Sequence, residues 1–351
     1  MILCRHFGLC GGCTLQDMPA DAYRRHKQVL VEKALARAGF TEIVVNDPVL
    51  SQQKSRRRAM FKLSKEKGQV VVGFHAARSH VIVDMQECLV LTKALRDFTA
   101  TLRQGLAPIL AEGEKAEIHV SETDAGLDLA FHWSRKLRPS LTAEIAKTFA
   151  GADIARIIFN GEILLERTKP AIAFDGIAVT PPPRAFLQAT RDGERAIQAR
   201  VAGLTKNAKT IVDLFAGIGT FSLPLARHAK VHAVEQDSDA LAALMEAARK
   251  AKGLKPVTVE IRDLFKIPLT VLELNRFDAA VLDPPRAGAE AQVKLLAASK
   301  IPRIAYVSCD ASSFARDAAI LVKAGFIMGE VTPVDQFLYS DHIELVAGFS
   351  R

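Results

Sequence analysis

"IVDLFAGIGTFSLPLA", residues 211–226, is the stretch whose reading decides the fold. Five of its first six residues are apolar and partly β-branched, as a buried strand requires, with Asp213 the exception. Gly217-Ile218-Gly219 follows, and then a helical pattern. Glycines are needed where backbone turns tightly and approaches a ligand, and a helix N-terminus favours partial negative charge. A dinucleotide fingerprint would place a third glycine at 222, where Ser222 stands. Glu235 ends the next strand, "VHAVEQ" (231–236), placed to accept hydrogen bonds from ribose hydroxyls. A nucleoside ligand therefore fits better than a pyrophosphate one.

Working outward, further apolar strands, "AAVLDPP" (279–285) and "RIAYVSC" (303–309), alternate with helical segments such as "SDALAALMEAARKAKG" (238–253). This alternation predicts an α/β domain with a parallel, doubly wound sheet over 179–351. Ligands of such sheets bind beyond the carboxyl ends of the strands. Asp263 in "RDLF", Asp283 in "DPPRAG" and Cys309 at the tip of "YVSC" should border that crevice. "SDHIELV" (340–346) adds His342 and Glu344, two apart on an expected strand. On residue type alone Cys309 also reads as a buried small hydrophobe, Asp283 as a helix cap and Glu344 as half of a structural ion pair. "TPPPR" at 180–184 reads as a linker, since three prolines forbid helix and ladder alike. Before it, 91–178 reads as a smaller α+β domain. Residues 1–90 read as an N-terminal segment with a small antiparallel sheet and a helix over 20–39 able to pack on the catalytic domain.

A chain of 351 residues with 49% hydrophobic and 25% charged residues reads as a soluble protein of two or three domains. It shows neither a secretory leader nor an apolar run of about 18–20 residues, so a cytoplasmic location is expected. Clustered cysteines there more often bind metal or do catalysis than pair. Cys4, Cys10, Cys13 and Cys88 give C-x5-C-x2-C-x74-C. Four thiolates suit tetrahedral zinc or a [4Fe–4S] cluster, and spacing alone leaves the two open. The net charge is +8, and "KSRRRAMFKLSKEK" (54–67) carries seven basic residues against one acid. Lys54, Arg56, Arg57, Arg58 and Lys62 form either a solvated face or a phosphate-binding strip.

The strand–GxG–helix unit, the acidic strand ends and Asp-Pro-Pro resemble the class I (Rossmann-like) S-adenosylmethionine-dependent methyltransferases. Amino-group methyltransferases usually carry an aromatic after the two prolines; Arg286 here argues against amine methylation. "CRHFGLCGGCTLQDM", "GFHAARSHVIVDMQECLVL", "FLQAT", "DLFAGIGTFSLPLA", "DPPRAG", "YVSCD" and "HIELV" together resemble the RNA uracil-5-methyltransferase family, in particular its iron–sulfur members acting on 23S ribosomal RNA. The resemblance implies Cys309 as nucleophile and Glu344 as base. It implies Gln188, Phe215, Gly217, Thr220, Glu235, Asp263 and Asp283 around S-adenosylmethionine or the uracil. It also tips the four cysteines toward a structural [4Fe–4S] cluster. RNA is the expected partner, with no membrane and no obligate protein partner, the chain acting as a monomer.

Three departures from the family pattern stand out. Asp310-Ala311 follows Cys309 where Asn-Pro is common, and a carboxylate there is expected to disfavour the thiolate. Thr190 replaces an asparagine. No N-terminal β-barrel RNA-binding domain precedes the cysteines, which gives the 54–67 strip more weight as an RNA contact. Two rival readings remain: a transfer-RNA uracil-5-methyltransferase, and a non-catalytic iron–sulfur protein that binds RNA or senses redox state.

Overall fold

Two sheets organise the chain, whose computed structural model describes residues 3–351. Helix α1 (Ala20–Arg37) and the two-residue strand β1 (Val49–Leu50) come first. A seven-stranded sheet follows, built from β2 (Arg58–Glu66), β3 (Gln69–His75), β4 (Ile82–Asp84), β5 (Lys115–Thr123), β6 (Gly126–Trp133), β7 (Ile154–Phe159) and β8 (Glu162–Glu166). Helices α2 (Lys93–Leu106) and α3 (Pro139–Thr148) pack on it. Its order is β4-β3-β2-β5-β6-β7-β8. In β2 the side chains alternate, with Ala59, Phe61 and Leu63 inward and Met60 outward, as a sheet with one covered face demands.

This sheet corrects the boundary expected at residue 90. β2 pairs with β5 from Arg58↔Ser121 to Ser64↔Lys115, so strands from both sides of that boundary share one ladder. They share one core as well, where Phe61 and Val72 meet Ile118, Leu129 and Phe98. The cysteines and the charge contrast mark a functional change along the chain, while the domain is set by long-range pairing.

The boundary expected at 178 also moves. The hairpin β9 (Ile172–Phe174) and β10 (Ile177–Val179) buries its apolar side chains against Ile218, Leu223 and Ala240 of the C-terminal unit. That unit continues through α4 (Arg191–Leu204), β11 (Thr210–Leu214), α5 (Ser222–Leu225), β12 (Lys230–Glu235), α6 (Ser238–Lys250), β13 (Val257–Ile261), α7 (Val271–Leu274), β14 (Ala279–Leu282), α8 (Glu290–Ala298), β15 (Arg303–Ser308), α9 (Ala311–Lys323), β16 (Ile327–Asp335) and β17 (Glu344–Ser350). The eight-stranded order is β1-β16-β17-β15-β14-β11-β12-β13. Strands β13, β12, β11, β14 and β15 are parallel, as expected; β17 inserts antiparallel between β15 and β16. The chain leaves β11 to one side and returns to β14 on the other, which opens a crevice at the carboxyl ends of these strands.

α1 packs on this second unit. Val31 and Leu35 join a core with Phe314, Met328 and Val331, and β1 adds parallel to β16. Lys27 is fully buried, and its Nζ reaches Asp335 Oδ1 at 3.0 Å and the carbonyls of Ser340 and His342 at 2.6 Å each. The Tyr23 hydroxyl donates to the other Asp335 oxygen. Burial pulls the Lys27 ammonium toward neutrality and the Asp335 charge resists it. Among the described residues no helix is long and apolar enough to cross a membrane. Lys27→Met strands the Asp335 charge, so the variant should lose about 3–5 kcal/mol of stability. A urea unfolding midpoint equal to that of the parent chain would contradict this.

Candidate active site

The glycine turn is shaped by the strand before it. Phe215, at the tip of β11, adopts φ 65°, and it and Ala216 both donate to the Val234 carbonyl. Gly219 has φ 94°, and a Cβ there would lie 2.9 Å from Leu244 Cγ, so only glycine fits. Glu235 Oε2 accepts from the Gly217 N–H at 3.1 Å, while Oε1 accepts from Gln236 and Asp237 N–H groups. Ser222, where a dinucleotide site would have glycine, donates to buried Asp213 Oδ2 at 2.6 Å. Burial pushes the Asp213 carboxyl up to about 7.

A cavity of about 440 Å³ opens above these elements, and all nine residues expected at the site line it: Gln188, Phe215, Gly217, Thr220, Glu235, Asp263, Asp283, Cys309 and Glu344. Space beside Gly217 is open, with no heavy atom within 4 Å of where a Cβ would stand. Phe215 and Phe265 face each other at 5.4 Å between ring centroids, and Asp263 is held by Lys266 at 2.9 Å and the Phe265 N–H at 3.0 Å. An acidic strand end beside an open glycine turn and an aromatic pair suits a nucleoside.

Cys309 directly follows β15, and Glu344 begins β17. The two strands run antiparallel with Ser308 opposite Leu345, so one more step of that register sets Cys309 opposite Glu344. Asp283 tips the neighbouring strand β14. Burial, then Glu344 and Asp283, push the Cys309 thiol up to about 11, opposed by Arg286. Burial raises the Glu344 carboxyl to about 7, opposed by Arg58. Asp283 is raised well above the usual carboxylate range by burial first and then by Glu344 and Asp213. The resting site therefore holds a neutral thiol beside carboxyl groups poised to exchange protons near neutral pH.

Two contributors escaped sequence reading. Gln336 Nε2 donates to Gln188 Oε1 at 2.7 Å, and Gln336 Oε1 accepts from the Thr190 N–H at 3.2 Å. Gln336 thereby turns the Gln188 amide nitrogen toward Asp283, whose Oδ2 lies 3.5 Å away. Its only sequence signal is its place after the strand "TPVD", at the mouth of the crevice. Arg58 is the other: it was read as part of a charge strip, but here it stacks 4.5 Å from the Phe186 ring and acts on Glu344.

The 54–67 stretch accordingly needs correction as an RNA-binding strip. Arg57 is 1% exposed and pairs with Glu194 at 2.5 Å, with its Nε on the Gln188 carbonyl. Arg56 turns over Phe337, 5.5 Å from the ring centroid. Lys62 pairs with Glu117, and Lys65 donates to the Ala107 and Leu110 carbonyls. Of the five proposed contacts only Lys54 is openly exposed. The charges look contiguous in sequence, but strand alternation points them into different partners. His342 lies in the loop before β17 rather than on the strand with Glu344.

Both substitutions in the family pattern act as helix caps. Asp310 Oδ1 accepts from the Ser312 and Ser313 N–H groups at the start of α9, at 3.0 and 2.9 Å. Its charge is directed to the helix, and the thiol is raised instead by burial, Glu344 and Asp283. Thr190 Oγ1 accepts from the Gly193 N–H at 3.1 Å and caps α4.

Cys4, Cys10, Cys13 and Cys88 come together around a separate cavity of about 130 Å³, with Arg56 on its wall. Burial raises the thiols of Cys10, Cys13 and Cys88, while backbone N–H groups at Gly12 for Cys10, and at Val90 and Leu91 for Cys88, favour the thiolates. Among the described residues no three of these or other ligand-type groups converge on a single-ion position.

Residues 185–349 match the family described as tRNA (Uracil-5-)-methyltransferase. An RNA methyltransferase of Rhizobium meliloti (strain 1021) is 45% identical over 99% of this chain and 85% of its own length. The 23S rRNA (uracil(1939)-C(5))-methyltransferase RlmD of Halomonas elongata is 32% identical over 97% of this chain and 74% of its own. Among solved structures, the Pyrococcus abyssi tRNA (uracil-54, C5)-methyltransferase in complex with S-adenosyl-L-homocysteine superposes with a TM-score of 0.76. It is 24% identical and covers 96% of this chain and 85% of that one. The chain belongs to the RNA uracil-5-methyltransferase family, has its α/β class I methyltransferase fold and is an RNA methyltransferase. The non-catalytic reading is set aside.

Glu344 must be ionised to accept a proton, so activity should fall as pH drops through about 7. Arg58→Met removes the cation that favours the carboxylate, and should move this acid limb to higher pH. Single-turnover methyl transfer measured across pH checks it; an unmoved limb would show that Arg58 does not act on Glu344.

Proposed function

We propose that this protein methylates carbon 5 of a uridine in 23S ribosomal RNA, in the cytoplasm and as a monomer, with S-adenosylmethionine as methyl donor. The observation that carries the reading is that Cys309, just past the end of β15, and Glu344, the first residue of β17, line the same cavity as the glycine turn. S-adenosylmethionine fits the open space by Gly217, where it supplies an electrophilic methyl group. Glu235 and Asp263 offer acceptors to its hydroxyl and amino groups.

Carbon 5 of uracil is a poor nucleophile until carbon 6 is attacked. Cys309 Sγ, once deprotonated, forms a bond to carbon 6, and the carbon 5–carbon 6 π electrons move onto the carbon 4 carbonyl as an enolate. Gln188, its amide fixed by Gln336, is a donor available to that charge, beside Asp283, whose carboxyl burial shifts toward the protonated form. Carbon 5 would then take the methyl group as the donor's methyl–sulfur bond breaks, the electron pair staying on sulfur as a neutral thioether. Glu344 removes the carbon 5 proton, the double bond re-forms and the thiolate leaves. A base with a carboxyl raised to about 7 by burial is matched to that step. The target base reaches the cavity by leaving its stack.

The ribosomal substrate is supported by the Halomonas elongata relative and by the four cysteines. A transfer-RNA substrate is the second reading, supported by the family's description and the Pyrococcus abyssi structure. Cys4, Cys10, Cys13 and Cys88 would hold a [4Fe–4S] cluster. Four thiols lining one cavity offer the ligand set of such a cluster, and Arg56 on its wall would offset the negative charge. Its role would be structural. The backbone supports this, because Thr14 and Leu15, next to Cys13, donate to the Tyr339 carbonyl in the loop before Glu344.

RNA bearing 5-fluorouridine should trap a covalent adduct stable to denaturing gels, because fluorine at carbon 5 prevents the final elimination. Cys309→Ala should form none. Glu344→Gln should slow product release by about 10²–10⁴ and accumulate adduct on ordinary uridine. An adduct that survives Cys309→Ala, or none with either ribosomal or transfer RNA, would overturn the reading; labelled-methyl transfer to the two RNAs compared side by side decides the substrate.

Anaerobic reconstitution with iron and sulfide should give broad visible absorption and roughly four irons per chain. Cys88→Ala should abolish both. Colourless protein that retains only zinc would overturn the cluster.

A further inference from the structure

With most of the 54–67 cations engaged by acids, carbonyls and rings of the protein itself, Lys54 and Lys67 are the exposed ones left there, and an RNA backbone needs further cations. A second cavity, of about 240 Å³, adjoins the catalytic one, and the two share Arg286 and Cys309 as lining residues. Its opposite wall is α1, through Leu30, Lys33, Ala34 and Arg37. These positions, i, i+3, i+4 and i+7, form one stripe of the helix. Leu30 and Ala34 sit toward the core, while Lys33 and Arg37 are exposed. The salt bridges of α1 among the described residues are made by Arg25, His26 and Lys27, which leaves Lys33 and Arg37 without carboxylate partners.

The carboxylates at this cavity are already engaged. Asp310 caps α9 through one oxygen and has Arg286 Nη2 3.7 Å from the other, and Asp341 contacts His26 Nε2 at 3.0 Å. Three cations, Lys33, Arg37 and Arg286, thus face two carboxylates, Asp310 and Asp341, around a polar hollow, and the excess of positive charge lies on the α1 wall.

Its position gives the hollow a purpose. If the base is attacked by Cys309 with the methyl donor at the glycine turn, the sugar and its phosphates must leave by an opening that also touches Cys309. A flexible anion with closely spaced charges suits cations placed on two walls of such a hollow. We propose that this second cavity is a phosphate subsite for the RNA backbone flanking the target uridine, with Lys33 and Arg37 of α1 facing Arg286 across it. The inference rests on the uridine reading. It makes α1 part of the substrate site as well as a structural brace, and the Lys27 clamp couples that helix to the loop that leads into Glu344.

Binding of single-stranded oligouridylate should be measured against salt concentration for the full chain and for Lys33→Ala/Arg37→Ala. Each lost phosphate contact lowers the log–log salt slope by about 0.7, so the double variant should lose about 1.4. Its KM for RNA should rise about tenfold at moderate salt with kcat within about twofold. Lys33→Gln/Arg37→Gln, which keeps the helix-forming stems, should behave alike, and an unchanged unfolding midpoint shows that the fold is intact. Lys250→Ala/Lys294→Ala removes two exposed, ion-paired charges that line neither cavity and should leave the slope unchanged. An unchanged slope in both α1 variants, an equal loss in the Lys250/Lys294 control, or no binding of oligouridylate by the parent chain would overturn the subsite. Because the slope is read without turnover, a failure of the subsite is distinct from a failure to methylate uridine, which the fluorouridine adduct reports.

Discussion

Lys27 carries its ammonium group into the protein interior, where it meets Asp335 and two main-chain carbonyls of the loop that ends at Glu344. A buried charge is tolerated only when its hydrogen-bonding capacity is filled, and here all three donors have acceptors. The clamp therefore fixes three things relative to one another: α1, the end of β16 and the 336–343 loop. Tyr23 reinforces it from the same helix, donating to Asp335 while its oxygen accepts from the Tyr339 N–H at 2.8 Å. The cysteine-bearing segment reaches the same loop through Thr14 and Leu15. The position of Glu344 at the start of β17 thus depends on residues more than 300 positions earlier in sequence.

The electrostatics of the site follow from that confinement. Asp213, Asp283 and Glu344 lie within one low-dielectric region, and burial raises all three. Burial is the first cause in each case, Glu344 and Asp213 add to it at Asp283, and the same surroundings hold Cys309 as a thiol. Such a site is quiet without substrate. A sulfonium bound there would bring positive charge into the same cavity, which favours the ionised form of neighbouring acids. Arg58 and Arg286 tune the two ends, one beside Glu344 and the other beside Cys309.

Much of this was legible in the sequence because it is local. A strand that ends in a glycine turn, and acidic residues at strand tips, are written in consecutive residues, and the doubly wound sheet brings every one of those tips to one crevice. The cysteines at 4, 10, 13 and 88 also meet, although nothing local dictates how 74 intervening residues fold back. What escaped was whatever depends on a distant partner. Arg57 faces inward because β2 alternates, and its burial is permitted only by Glu194, which is 137 residues away. Asp310 and Thr190 looked like losses when judged as family positions; as helix caps, Asp, Asn and Thr are near equivalents. Gln336 is invisible for the same reason, since its function is a hydrogen bond to Gln188 across 148 positions.

Charge arithmetic along a chain therefore measures the wrong quantity for recognition. An excess of six charges over fourteen residues suggested a binding strip, yet most of those groups neutralise acids or fill carbonyls of their own fold. Lys33 and Arg37 draw no attention in sequence, four residues apart in an ordinary amphipathic helix. They make no salt bridge among the described residues because the carboxylates across the cavity are engaged elsewhere, Asp310 by the start of α9 and Asp341 by His26. What makes a cation available to a phosphate is the absence of a partner in three dimensions. In this fold that condition is met where α1 looks across at Arg286 and Cys309.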